Sequence, residues 1–167
     1  MKRNYLTRQW NGRHALLTVL LVVLPLPMWA TLGDNASSVL SDQARMKGVL
    51  HSTDNRAYVV HEITTSVGDK VREYVTPGGA VFGVAWEGQV PPNLQQLLGP
   101  YYQQAVQARQ AREQEQSQQG VPRARRAPMA IETPGLVLYQ GGHLHSFHGI
   151  AFIPQLIPQG VQASVIR

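Results

Sequence analysis

Tyr58 to Trp86, YVVHEITTSVGDKVREYVTPGGAVFGVAW, constrains this chain more than any other stretch. Three runs rich in β-branched and aromatic residues, 58–64, 71–75 and 81–86, are separated by two turn signals. Such side chains fit a pleated, half-buried surface. Ser66-Val67-Gly68-Asp69 supplies one turn and Thr76-Pro77-Gly78-Gly79 the next, where Pro presets φ and Gly accepts a positive one. The stretch therefore predicts a three-stranded antiparallel meander. Strand alternation puts Phe82, Val84 and Trp86 on a bulky face and Val81, Gly83 and Ala85 on a small apolar one. The bulky side faces the main core, and a closely packed element lies on the small side. A two-residue loop at Pro77-Gly78 places Val71 and Val75 on the bulky face, with Glu73 as the polar exception. A three-residue loop shifts the register by one, and the residues leave this open.

The first thirty residues belong to a different kind of segment. Lys2, Arg3, Arg8 and Arg13 form a basic start without an acid, and Ala15 to Leu24 is apolar but too short to span a bilayer. Pro25 to Ala30 completes a Sec-type signal peptide with cleavage between Ala30 and Thr31. An uncleaved N-terminal anchor is the competing reading, because Met28 is an imperfect residue for such a cut. The chain has no cysteine, which removes lipobox attachment, disulfides, thiol catalysis and thiolate metal sites. The formal charge of +5 belongs mostly to the leader. Without its four basic residues there remain 11 basic against 10 acidic residues, so no global electrostatic attraction to nucleic acid exists. The remainder, residues 31–167, is long enough for one domain.

Along that domain, residues 31–47 predict a short helix stopped at Gly48, and 48–53 a first strand hairpinned to Tyr58. After Trp86 the apolar period becomes helical. Asn93 is an N-cap with Gln96 three residues on, and Leu94, Leu97, Leu98, Tyr101, Tyr102, Ala105 and Ala108 follow at helical spacing across the Gly99-Pro100 interruption. These predict one kinked helix or two abutting ones, packed by their apolar face on the sheet. Residues 113–128 are polar, with Arg123, Arg125 and Arg126, and predict a helix tail passing into a flexible loop. Strands follow at 131–133 and 136–140. Gly141-Gly142 predicts a hairpin that pairs Gln140 with His143, Leu138 with His145 and Leu136 with Phe147. Residues 160–167 predict a peripheral tail. The whole reads as α+β: an antiparallel sheet of five to seven strands with one longer, interrupted helix on a face.

Tyr58-Val59-Val60-His61-Glu62, Val71 to Val75, Gly79 to Trp86, Leu97-Leu98-Gly99 with Tyr101-Tyr102, and Gly141-Gly142-His143 before Pro154-Gln155 occur in an order that resembles the exported domain-of-unknown-function family 2844 of Gram-negative bacteria. The resemblance covers nearly all of the chain after the leader. It implies an exported, periplasmic or envelope protein, and it implies no activity, cofactor or catalytic residue.

The sharpest chemical constellation is His143-Leu144-His145-Ser146-Phe147-His148. On one strand, His143 and His145 would project to the same face about 6.5–7 Å apart. Two imidazoles there could ligate zinc or copper. Exposed strand histidines without a metal are the plainer reading. No serine sits in a nucleophile elbow, no HExxH motif occurs, and Gly78-Gly79 and Gly141-Gly142 lie in hairpins rather than ahead of a helix. Glu62, Glu73 and Glu87 could in principle form a carboxylate pair across strands, although strand acids usually form a solvated face. No catalytic constellation is recognisable. The expectation is a non-catalytic exported protein that binds an envelope partner or ligand, with a periplasmic zinc or copper protein using His143 and His145 as the alternative.

Overall fold

The three strands expected between Tyr58 and Trp86 lie side by side in a seven-stranded antiparallel sheet. In this computed structural model residues 32–120 and 128–167 are described. Helix α1 (Ser37–Met46) precedes β1 (Val49–Asp54), β2 (Val59–Thr64), β3 (Lys70–Val75) and β4 (Val81–Gly88). Helix α2 (Leu94–Leu98), a 3-10 turn (Gly99–Tyr101) and α3 (Tyr102–Gln118) follow, then β5 (Met129–Glu132), β6 (Val137–His143) and β7 (Ser146–Phe152). Strand order is β1-β2-β3-β4-β7-β6-β5. The α+β expectation holds, including the interrupted helix: Asn93 caps α2 by accepting from the Gln96 amide at 3.2 Å, and Pro100 opens the next turn.

The β3–β4 hairpin settles the register left open by the sequence. Its loop has three residues, closed by the Thr76 amide on the Ala80 carbonyl at 2.9 Å, with Gly79 at φ 87°. Val75 then opposes Val81, but Tyr74 opposes Gly83, so Phe82 is one residue too many. This β-bulge cancels the shift introduced by the loop. Val71, Val75, Val84 and Trp86 share a face as a two-residue loop would have required, whereas Phe82 crosses to the opposite side. The simple alternation that placed Phe82 with Val84 and Trp86 is thereby corrected.

Helices α1, α2 and α3 cover the face bearing Val71, Val84 and Trp86, and these residues, with Leu97, Leu98, Leu136 and Leu138, form the main core. The opposite face carries Tyr58, Tyr74 and Phe82, whose rings lie 5.9–6.2 Å apart. The C-terminal residues cover it. Ile166 is buried, and its Cδ1 lies 2.8 Å from where a β-carbon on Gly83 would stand. The Tyr74 hydroxyl donates to the Arg167 carbonyl at 2.9 Å and accepts from the Arg167 amide at 3.0 Å. The expected peripheral tail is thus a docked segment. It is the closely packed element that the small face of β4 called for.

The glycine pair Gly141-Gly142 does not make the hairpin turn. Both lie in β6, opposite His148 and Phe147, and the turn is Leu144-His145, with His143 opposite Ser146. Leu138 therefore pairs with Ala151 rather than His145. Burial explains the difference. The observed register puts two fully buried apolar residues together, whereas the expected one would have set an imidazole beside buried Leu138. Gly142 serves close approach instead: a β-carbon there would stand 2.8 Å from the Phe147 α-carbon. Helix α3 continues to Gln118, into the segment read as a helix tail, and residues 121–127 with Arg123, Arg125 and Arg126 lie outside the described residues.

Candidate functional site

The histidines singled out by the sequence sit at the tip of the β6–β7 hairpin. His143 closes β6, with its Nδ1 3.1 Å from the Leu144 carbonyl. His145 occupies the turn at φ 62°. They do not lie two apart on one strand. Both are exposed, and His148 on β7 lies over Gly141. Among the described residues no group of three or more His, Asp or Glu side chains is arranged to hold a metal ion. Ala30 and Thr31 lie outside the described residues.

The strand acids divide between the two faces. Glu62 and Glu87 both grip Arg72, whose Nε donates to Glu62 at 2.7 Å and Nη2 to Glu87 at 2.8 Å, while its Nη1 donates to the Arg167 carbonyl at 3.0 Å. This cluster ties the C-terminal residues to the sheet. Glu73 points the other way, into the main core, and is 1% exposed. There it meets Asp42 of α1, which is fully buried. Gln96 of α2 donates to Asp42 Oδ1 at 2.6 Å. Asp42 Oδ2 and both Glu73 oxygens have no donor among the described residues. A proton on one carboxyl turns their contact into a hydrogen bond. Burial, then the Asp42 charge, push the Glu73 carboxyl up to about 8, and burial raises Asp42 against the opposing Gln96 hydrogen bond. The pair is sealed from solvent, so it cannot act on a substrate. The sequence marked Glu73 as an anomaly on an apolar face, but nothing local pointed to its partner.

An accessible concavity lies elsewhere on the helix-covered face. A groove of about 310 Å³ runs between α2–α3 and the β5–β6 edge, walled by Leu94, Leu98, Tyr102, Val106, Met129 and Leu138. The α2 cap positions Leu94 and Leu98, and the helical spacing of Tyr102 and Val106 carries the apolar wall onward along α3. Among the described residues that line it, Arg109 is the charged one, and its Nε donates to Glu113 at 2.7 Å. The groove is mostly apolar, with Asn93 and Gln95 as polar lining residues and the Arg109–Glu113 ion pair at its margin. Among the described lining residues there is no histidine and no carboxylate.

A family model described as protein of unknown function DUF2844 matches residues 28–166, and the chain belongs to that family. No curated protein and no solved structure matches.

Proposed function

We propose that this family member is an exported, non-catalytic protein of the periplasm or envelope that holds an apolar group of a partner or ligand in the groove between α2–α3 and β5–β6. The observation that carries the reading is the groove itself: mostly apolar walls, a volume of about 310 Å³ at the lower end of ligand-binding clefts, and the Arg109–Glu113 pair at its margin. Its size accommodates one or two side chains, or a short acyl or aryl group. Export rests on the leader pattern of residues 1–30, with cleavage between Ala30 and Thr31. No described helix is long and apolar enough to cross a membrane.

The test is a photo-crosslinking amino acid placed in living cells at Val106, on the groove wall, and in parallel at Val67, exposed in the β2–β3 turn. A discrete adduct from position 106, absent from 67 and identified by mass spectrometry, supports the reading. Equal labelling from both positions, or none, refutes it. N-terminal sequencing of the same material should begin at Thr31. Elemental analysis of untagged protein then tests zinc or copper at His143 and His145: about one ion per chain, lost in His145→Ala, would replace this proposal by the metal one.

A further inference from the structure

Helix α1 docks on the rest of the protein through few side chains, and one of its contacts is between two carboxyl groups. Of its ten residues only Ser38, Val39 and Asp42 are buried. The Ser38 hydroxyl serves the Asn35 carbonyl within the same segment, so Val39, Asp42 and the half-buried Met46 are the side chains of α1 that reach across to the rest of the protein, while the Ala36 amide just ahead of the helix donates to the Gly79 carbonyl. A helix this short has marginal stability of its own, so its docking decides whether it forms.

Among the described residues, the surroundings of the acid pair offer no compensating cation on the Glu73 side. On β2, His61 stands directly opposite Glu73, but its Nδ1 is engaged with the Ser52 hydroxyl at 2.7 Å and burial lowers its pKa, favouring the neutral ring. On β4 the residue opposite is Val84. Helix α2 contributes the neutral amide of Gln96. Arg45 on α1 favours an ionised Asp42 without being among the groups that act on Glu73. Two ionised carboxylates in this apolar setting would repel strongly and leave their facing oxygens without donors, whereas one proton between them satisfies the contact.

We propose that Asp42 and Glu73 form a proton-held latch, and that loss of the shared proton at alkaline pH releases α1 while the sheet and α2 stay folded. Helix α2 remains because Leu97 and Leu98 are buried in the core independently of Gln96. The sheet remains because its strands pair continuously from β1 to β5. Release would uncover the face of β2 and β3 beneath α1, a surface separate from the groove, so the latch stands or falls independently of the binding proposal.

Amide hydrogen exchange of the full chain, read by mass spectrometry with labelling times scaled for the intrinsic rate, tests this at pH 6 and pH 8. Protection across 38–46 should fall about tenfold per pH unit, as expected where opening transfers one proton to solvent. Protection of β3, β4 and α2 should hold. In Glu73→Gln the α1 protection should lose its pH dependence, and Asp42→Asn gives the same readout from the other partner should the first variant fold poorly. Equal α1 protection at both pH values, loss of protection in α1 and the sheet together, or an unchanged pH dependence in both variants would overturn the latch.

Discussion

Replacing Glu73 by Gln should flatten the dependence of global stability on pH. In the folded protein the Glu73 carboxyl is pushed up to about 8 from an ordinary 4.5, by burial first and by Asp42 second. Unfolding returns it to water. Between roughly pH 5 and 8 the folded state therefore binds a proton that the unfolded state does not, and stability falls as pH rises, by ~1.4 kcal/mol per pH unit. The stabilisation is complete below the unfolded value and lost as pH rises through the folded one. Across the window the loss is ~4 kcal/mol, a large fraction of the 5–15 kcal/mol typical of such domains. His61 works in the opposite direction. Its folded pKa is lowered, so its contribution is lost as pH falls. The difference between wild type and Glu73→Gln cancels it. Urea unfolding at pH 5.5, 7 and 8.5 measures both slopes. A wild-type stability that declines steeply over this range, beside a variant that does not, is the expected result. Parallel slopes would refute the assignment of the proton to this pair.

Three structural substitutions probe other parts of the account. Gly149→Ala sets a β-carbon 2.6 Å from Cε2 of the Trp86 indole and 2.7 Å from the Tyr139 carbonyl oxygen. Overpacking of this kind costs ~1–3 kcal/mol, seen as a lower unfolding midpoint with altered Trp fluorescence. Ile166→Ala empties the site over Gly83 and should cost ~2–4 kcal/mol in urea unfolding; a cost under about 0.5 kcal/mol would mean that the C-terminal residues are not docked in solution. Asn93→Ala removes the α2 cap and should cost ~1 kcal/mol, with raised exchange confined to the start of α2.

The meander and the start of α2 were legible because their signals are local: β-branched runs, a Pro-Gly-Gly loop, and an Asn cap with Gln96 behind it. Features that escaped are those decided by distant contacts. Phe82 looks like part of an alternating strand, and only the three-residue loop makes a compensating bulge necessary. Gly141-Gly142 has the composition of a turn, yet the partnership of Leu138 with Ala151 in the core outweighs it and moves the turn to Leu144-His145. The C-terminal residues carry no strand pattern, and their docking depends on the absence of a side chain at Gly83, 83 positions earlier than Ile166 in the numbering. Glu73 could be read as an oddity, but Asp42 sits on a helix whose placement over β3 is a tertiary fact. The groove was legible only as a helical apolar stripe, because its other wall, Met129 and Leu138, comes from strands beyond residue 128.

The claim at the centre is that the groove binds an apolar group. The most direct measurement is a methyl NMR titration of the protein beginning at Thr31 with 8-anilinonaphthalene-1-sulfonate, at pH 6 where the fold is intact. Saturable shifts confined to Leu94, Leu98, Val106, Met129 and Leu138, with Val67 and Ile63 unmoved and the effect abolished by Val106→Trp, are the predicted result. Shifts scattered over the surface, or none at these methyls, would contradict it.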